Sequence, residues 1–187
     1  SLARKAARAT PRELSRLNMR IIALIGRHGS GIHGITCAYC IDDDRAHEIA
    51  AAYLSQEDKL RAAMDSLGKD IDEDVRESSG LFISHSQFGD AYPPNKYNAV
   101  VIPPGASFQR LELYFGMHSK HTLQIFWRDP AGAEHEARFG PTVEEQAAVN
   151  ATHHVIAAPE GSGGIVGVFG SVGRVSRTLN VLGAYYA

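Results

Sequence analysis

Several things are scarce in this sequence, and each scarcity excludes something. Cys37 and Cys40 are the only cysteines among 187 residues, so there is no disulfide framework of the kind that staples small secreted folds. No apolar run approaches the roughly 18 residues that a membrane-spanning helix needs. Lys and Arg total 19 against 21 Asp and Glu, a net charge of −2, which leaves no basic excess for general nucleic-acid binding. No HExxH zinc helix and no GxSxG nucleophile turn is present. The N-terminal stretch is basic and alanine-rich but lacks the apolar stretch of a signal peptide. Beginning at Ser1 rather than Met, the chain reads as a module of a longer protein, cytoplasmic or secreted with its parent.

What is present suits one globular domain. Apolar residues make up 44% of the chain, enough for a sizeable core. The two cysteines sit in Ile35-Thr36-Cys37-Ala38-Tyr39-Cys40, which reads as a strand. Three residues apart on a strand, they face opposite ways and act as small core hydrophobes rather than as a redox pair or half a zinc site. The string from Gly26 to Gly34 resembles a phosphate loop in composition. It lacks the closing Gly-Lys-Ser/Thr, and strand-like residues follow where a phosphate loop needs a helix.

Periodicity divides the chain. Residues 1–18 read as a basic helix, with Thr10-Pro11-Arg12-Glu13 as a capping box. Residues 19–42 read as a β-hairpin turning at His28-Gly29-Ser30-Gly31. Residues 43–79 break the β pattern and read as a helical, acidic insertion. Helices are expected over Arg45–Leu54 and Gln56–Leu67, with Asp44 and Ser55 as N-caps and Gly68 closing the second. The acidic stretch Asp70–Val75 reads as a mobile, solvated tail, and no EF-hand glycine supports a calcium loop there. From residue 80 short strands return: Leu81–Ser84, Ala99–Ile102, Phe108–Phe115, Thr122–Trp127, Glu136–Phe139, His153–Ala158, Ile165–Phe169 and Leu179–Tyr186. The Pro/Gly/Asn/Asp turns between them suggest an all-β barrel, sandwich or prism.

Four segments, in order, carry a family resemblance. Gly164-Ile165-Val166-Gly167-Val168, Gly170 and Gly173, followed by a loop and a final aromatic-ended strand, resemble the closing hairpin of jacalin-related lectins. Phe139-Gly140-Pro141, the pair Val100–Gly105 and Phe108–Leu111, and the opening Ile21–Ile25, Gly29, Ile32, Gly34-Ile35 and Tyr39 are similar to other segments of that family. The resemblance spans residues 19–42 and 80–187. It implies a β-prism of three Greek-key sheets, here with an N-terminal helix and the insertion at 43–79 covering one edge or end.

The resemblance also implies a carbohydrate-binding module with no catalytic residues, metal or cofactor, which targets a larger protein to glycans and leaves room for a homo-oligomer. In the family the sugar site lies at one end of the prism. Carried over, its main loop is Gly173, Arg174, Val175, Ser176, Arg177, Thr178, Leu179 and Asn180, and Met117, His118, Ser119, Lys120 and His121 form the neighbouring loop. Asn180 stands where the family has an Asp. It replaces a carboxylate that accepts two charge-assisted bonds with a group of one acceptor and two donors. Arg174, Arg177, Lys120 and the histidines instead suit an anionic glycan. The alternative is a protein-interaction or scaffold module that has lost sugar binding and works through the insertion or the basic N-terminal helix.

Overall fold

A computed structural model describes residues 13, 16–28, 31–84, 96–116, 121–147, 151–172 and 179–187; of residues 147, 171, 172 and 179–181 it describes the backbone alone. The protein is mostly β, with three antiparallel sheets and four short helices among the described residues. Strands β1 (Met19–His28), β2 (Ile32–Ile41), β3 (Phe82–Ile83) and β4 (Lys96–Val101) form the first sheet. Strands β5 (Ser107–Phe115), β6 (His121–Arg128), β7 (Glu134–Phe139) and β8 (Thr152–Ala157) form the second, and β9 (Ile165–Val172) with β10 (Leu179–Tyr186) the third. The first sheet runs β4-β1-β2-β3 and the second β8-β5-β6-β7. Both are the 4-1-2-3 order of a Greek key. The third sheet has two strands among the described residues.

The sheets share one interior. Leu24, Ile35, Cys37 and Tyr39 from the first sheet meet Phe108, Leu111, Leu113, Leu123, Ile125 and Phe139 from the second and Ile165 and Val168 from the third. Three close contacts join the sheets in pairs. The Phe139 ring lies over Gly26, where a Cβ would come within 2.8 Å of it. Gly164 (φ +106°) lets the backbone reach 2.6 Å from a would-be Cβ to the Phe108 carbonyl, a conformation that favours glycine. The Tyr39 hydroxyl donates to the Val166 carbonyl at 2.9 Å.

The insertion builds a second core on the outside of the first sheet. Its helices are α1 (Asp44–Leu54), α2 (Glu57–Asp65) and α3 (Glu73–Ser79). Ala50, Tyr53, Leu54, Leu60, Ala63, Met64 and Ile71 pack on Ile22, Ala23, Ile25, Ala38 and Cys40. A register shift between Ile21 and Ala23 helps: Ile22 and Ala23 both turn outward before alternation resumes with Leu24 inward. Cys37 lies in the inner core and Cys40 in the outer one, both free and buried, as strand geometry requires.

Several expectations change. The insertion covers a sheet face, not an edge or an end. The cap of α1 is Asp43, whose side chain accepts from the Ala46 amide at 2.9 Å, one residue before the expected Asp44. Gln56, not Ser55, precedes α2 and makes no side-chain cap bond. The acidic stretch is not a solvated tail: Ile71 is buried, Glu73 begins α3, and the Arg76 guanidinium donates to the carbonyls of Gly68, Lys69 and Ile71. A fourth helix, α4 (Val143–Ala147), was not expected from the pattern. Gln146 within it donates to Thr122, which donates in turn to the Pro141 carbonyl. The N-terminal capping box lies outside the described residues, although Glu13 and Arg16 are helical and the Leu17 amide donates to the Glu13 carbonyl.

Because both faces of the first sheet are buried, Leu60→Ala in the outer core should destabilise the protein on the same scale as Leu111→Ala in the inner one, about 2–5 kcal/mol each. Urea unfolding of the two variants checks this. A negligible loss for Leu60→Ala would make the insertion an accessory.

Candidate functional site

The direction of the strands decides where a site built from their turns can lie. The start of β9 sits beside the start of β5, with the Ser107 hydroxyl donating to the Gly163 carbonyl at 3.0 Å, and beside the end of β2 through Tyr39. Farther along, Val168 lies at Cys37, so β9 runs opposite to β2 and along β1. Hence β1, β5 and β9 all run the same way. The connections β1–β2, β5–β6 and β9–β10 therefore leave from strand ends at one common end of the molecule.

The expected recognition residues lie on or beside two of these connections. Gly173, Arg174, Val175, Ser176, Arg177 and Thr178, and likewise His118, Ser119 and Lys120, fall outside the described residues. Leu179 and Asn180 open β10. Leu179 pairs with Val172 and Val181 with Ser171, so the register shift between them makes Asn180 the extra residue of a β-bulge. Bulges re-aim a side chain at the end of a ladder. His121 is not a loop residue but the first residue of β6, 6% exposed, with its ring edge-on to Phe115 at 5.1 Å.

Histidines gather at this end. His28 closes β1 beside Phe139, His33 lies near the start of β2, and His121 starts β6. His33 is close enough to act electrostatically on both of the others. Buried His28 Nε2 and His121 Nδ1 have no hydrogen-bond partner among the described residues. Burial pushes the His121 pKa down, and His33 pushes it further; burial, Lys96 and His33 do the same to His28. A ring so placed is neutral at physiological pH. His121 is therefore an apolar wall of this end rather than the cationic anion ligand expected of it. Among the described residues, no group of three or more His, Cys, Asp or Glu side chains is placed to hold a metal ion.

Sequence reasoning missed two further features. Arg27 lies on the outer face of β1, opposite Gly34 and Tyr97 and only 8% exposed. The signal was visible: an arginine directly after the apolar run Ile21–Gly26 and still within the strand. On the outer face of the second sheet, the Glu112 carboxylate accepts from Arg110 Nε at 2.7 Å, from the Tyr114 hydroxyl at 3.2 Å and bonds His153 Nε2 at 2.9 Å. Burial pushes Glu112 up, but these bonds outweigh it and hold its pKa below the usual value. Tyr114 and His153 stack at 4.3 Å, and Arg110 lies over Phe126. With three donors on one carboxylate, this cluster holds itself together and offers little to a ligand. A cavity of about 200 Å³ lies at the opposite end of the molecule, lined by Met19, Ile21, Tyr39, Asp42, Phe108 and Ile165 among others, with Asp42 paired to Arg20 at 3.0 Å.

Comparison of the chain with protein-family models, with curated proteins and with solved structures found no match.

The buried histidines set a pH dependence. In the unfolded chain each would protonate near 6.5, whereas the folded protein resists protonation until lower pH. His47, with both ring nitrogens buried and unpartnered, behaves alike, lowered chiefly by burial. Protons therefore favour the unfolded state, and the stability present above 6.5 is lost as pH falls through the lowered folded values. The urea midpoint should drop between about pH 7 and about pH 5, and drop less when His28 and His121 are both changed to Gln. Equal acid sensitivity in that variant would remove these rings as the cause.

Proposed function

We propose that this chain is a carbohydrate-binding module on a jacalin-like β-prism, recognising an anionic glycan at the end where its three hairpins turn and directing a larger protein to such glycans. The observation that carries this reading is the common direction of β1, β5 and β9. A sugar site made from turns needs those turns at one end of the molecule, and the common strand direction supports this for the connections at 117–120 and 173–178. Two sheets in Greek-key order and a third packed on the same core are what a prism supplies. Arg174 and Arg177 in the recognition segment, with Lys120 in its neighbour, make charged groups the favoured targets. Asn180 weakens the neutral-sugar geometry of the family, and its backbone is the extra residue of a bulge at the start of β10. The scaffold reading draws less support, since the apolar sides of α1 and α2 are already packed on the first sheet.

A glycan array read at low and high salt tests the proposal. Sulfated, phosphorylated or uronic-acid glycans should bind better than neutral ones, and exposed ion pairs screened over about 8 Å should lose affinity as salt rises. The double change Arg174→Ala and Arg177→Ala should remove most of the binding. A neutral glycan bound with indifference to both salt and the double substitution would sink the anionic reading. Asn180→Asp should raise affinity for neutral mannosides or galactosides by about tenfold or more, the worth of one charge-assisted bond. No gain on any neutral sugar would show that the loop has left the family geometry.

A further inference from the structure

Arg27 is the most anomalous charge in the molecule. The residue is only 8% exposed, and among the described residues its Nε has no hydrogen-bond partner, the guanidinium bonding only the Tyr97 phenol, which is no counter-charge. Arg20, Lys59, Arg61 and Arg110 each have a carboxylate within 3.2 Å, but none of these ion pairs includes Arg27. A buried guanidinium without a counter-charge is costly, and folded proteins pair such groups as a rule. An arginine also cannot escape by losing its proton.

Among the described residues, the surroundings give Arg27 no ion pair. Opposite Arg27 on β2 stands Gly34, with no side chain to contact it. Opposite on β4 stands Tyr97, whose phenol hydrogen-bonds the guanidinium and feels its charge. The Asp65 carboxylate on α2 accepts the Tyr97 hydroxyl proton at 2.7 Å. Arg61 of α2 lies over the Tyr97 ring at 5.9 Å, so a second cation faces the same tyrosine. The register of β1 and β2 shifts between Arg27 and His28. Such a bulge at a strand end commonly aims a side chain at a functional position.

We propose that Arg27 anchors a single oxyanion group, a sulfate or phosphate ester, at the outer rim of the first sheet between β4 and α2, with Tyr97 as its neighbour. The planar fork of the guanidinium suits a tetrahedral oxyanion, and partial burial strengthens the charge-assisted bond relative to one in water. Arg27 lies one residue before the end of β1, at the same end as the hairpin turns but on the outer face of the sheet. The assignment stands apart from the lectin reading, because inorganic anions test it without any sugar.

Thermal unfolding in sodium sulfate and in sodium phosphate, each compared with sodium chloride at equal ionic strength, is the first measurement. Sulfate or phosphate should raise the melting temperature of the wild-type protein above its value in chloride. Arg27→Gln should lose that increment. In chloride it should melt at or above the wild-type temperature, because it removes an uncompensated buried charge. That last outcome separates a ligand-binding arginine from a structural one. An equal anion response in both proteins, no response in the wild type, or a variant that is destabilised or unfolded in chloride would each overturn the assignment. Titrations of a sulfated disaccharide and of a sugar monophosphate then distinguish the two esters. The one that carries the group should bind Arg27→Gln about tenfold or more weakly, the size of one charge-assisted hydrogen bond. Equal affinity of the two proteins in both titrations would also overturn it.

Discussion

The hairpin of β1 and β2 is the constraint on which the rest of this structure depends. Its inner side chains belong to the core shared by all three sheets, and its outer ones to the core shared with the insertion. A sheet buried on both faces cannot slip register without turning one set of apolar residues toward the wrong partner. Ile22, Leu24 and Ile25 are fully buried, and each such side chain contributes about 1.5–3 kcal/mol when removed from water. The second sheet has no such double duty. Among the described residues, its outer face is covered by ion pairs, by the Tyr114–His153 stack and by the short α4. Stability is therefore concentrated in the first sheet; the seams at Gly26 and Tyr39 fix the second and third sheets against it, and Gly164 joins those two to each other.

Much of this order was legible in the residues. The ten strands follow the apolar alternation and the Pro/Gly turns, and β10 keeps its expected limits at Leu179 and Tyr186. The exclusion of a CxxC metal or redox pair followed from strand geometry alone. What failed to show has physical causes. The stretch Asp70–Val75 looks like a solvated acidic tail because only Ile71 and Val75 in it are apolar; its order comes from Arg76 reaching back to three carbonyls, which no local pattern encodes. The five-residue α4 is too short to display a helical period, and its place is set by Gln146 and Thr122. The cap of α1 moved by one residue because consecutive Asp42, Asp43 and Asp44 offer equivalent caps to a sequence reader.

The common end of the strands was legible in the sequence; the character of the side chains there was not. The neighbouring strand ends follow from the order of hairpins, so the common end could be anticipated. The character of His121 could not. On paper it is one of several basic residues near a loop; in the fold it is a neutral ring against Phe115. Arg27 illustrates the converse. Its charge was plain in the sequence, but the surroundings that leave it without an ion pair among the described residues involve Gly34, Tyr97 and Asp65, which come from three different parts of the chain.

The seam between the third sheet and the rest bears on how the protein is made. The pair β9 and β10 is the last of the strands in sequence, yet Ile165 and Val168 sit in the same interior as Leu24 and Leu111. During synthesis the first two sheets leave the ribosome well before residues 165–186, with one side of their shared core still open to water. Until that hairpin arrives, the nascent chain presents an apolar surface and unpaired strand edges, the condition under which chains associate or recruit chaperones. The closing hairpin thus acts as a latch: folding can begin early, but the interior is sealed only when those residues dock.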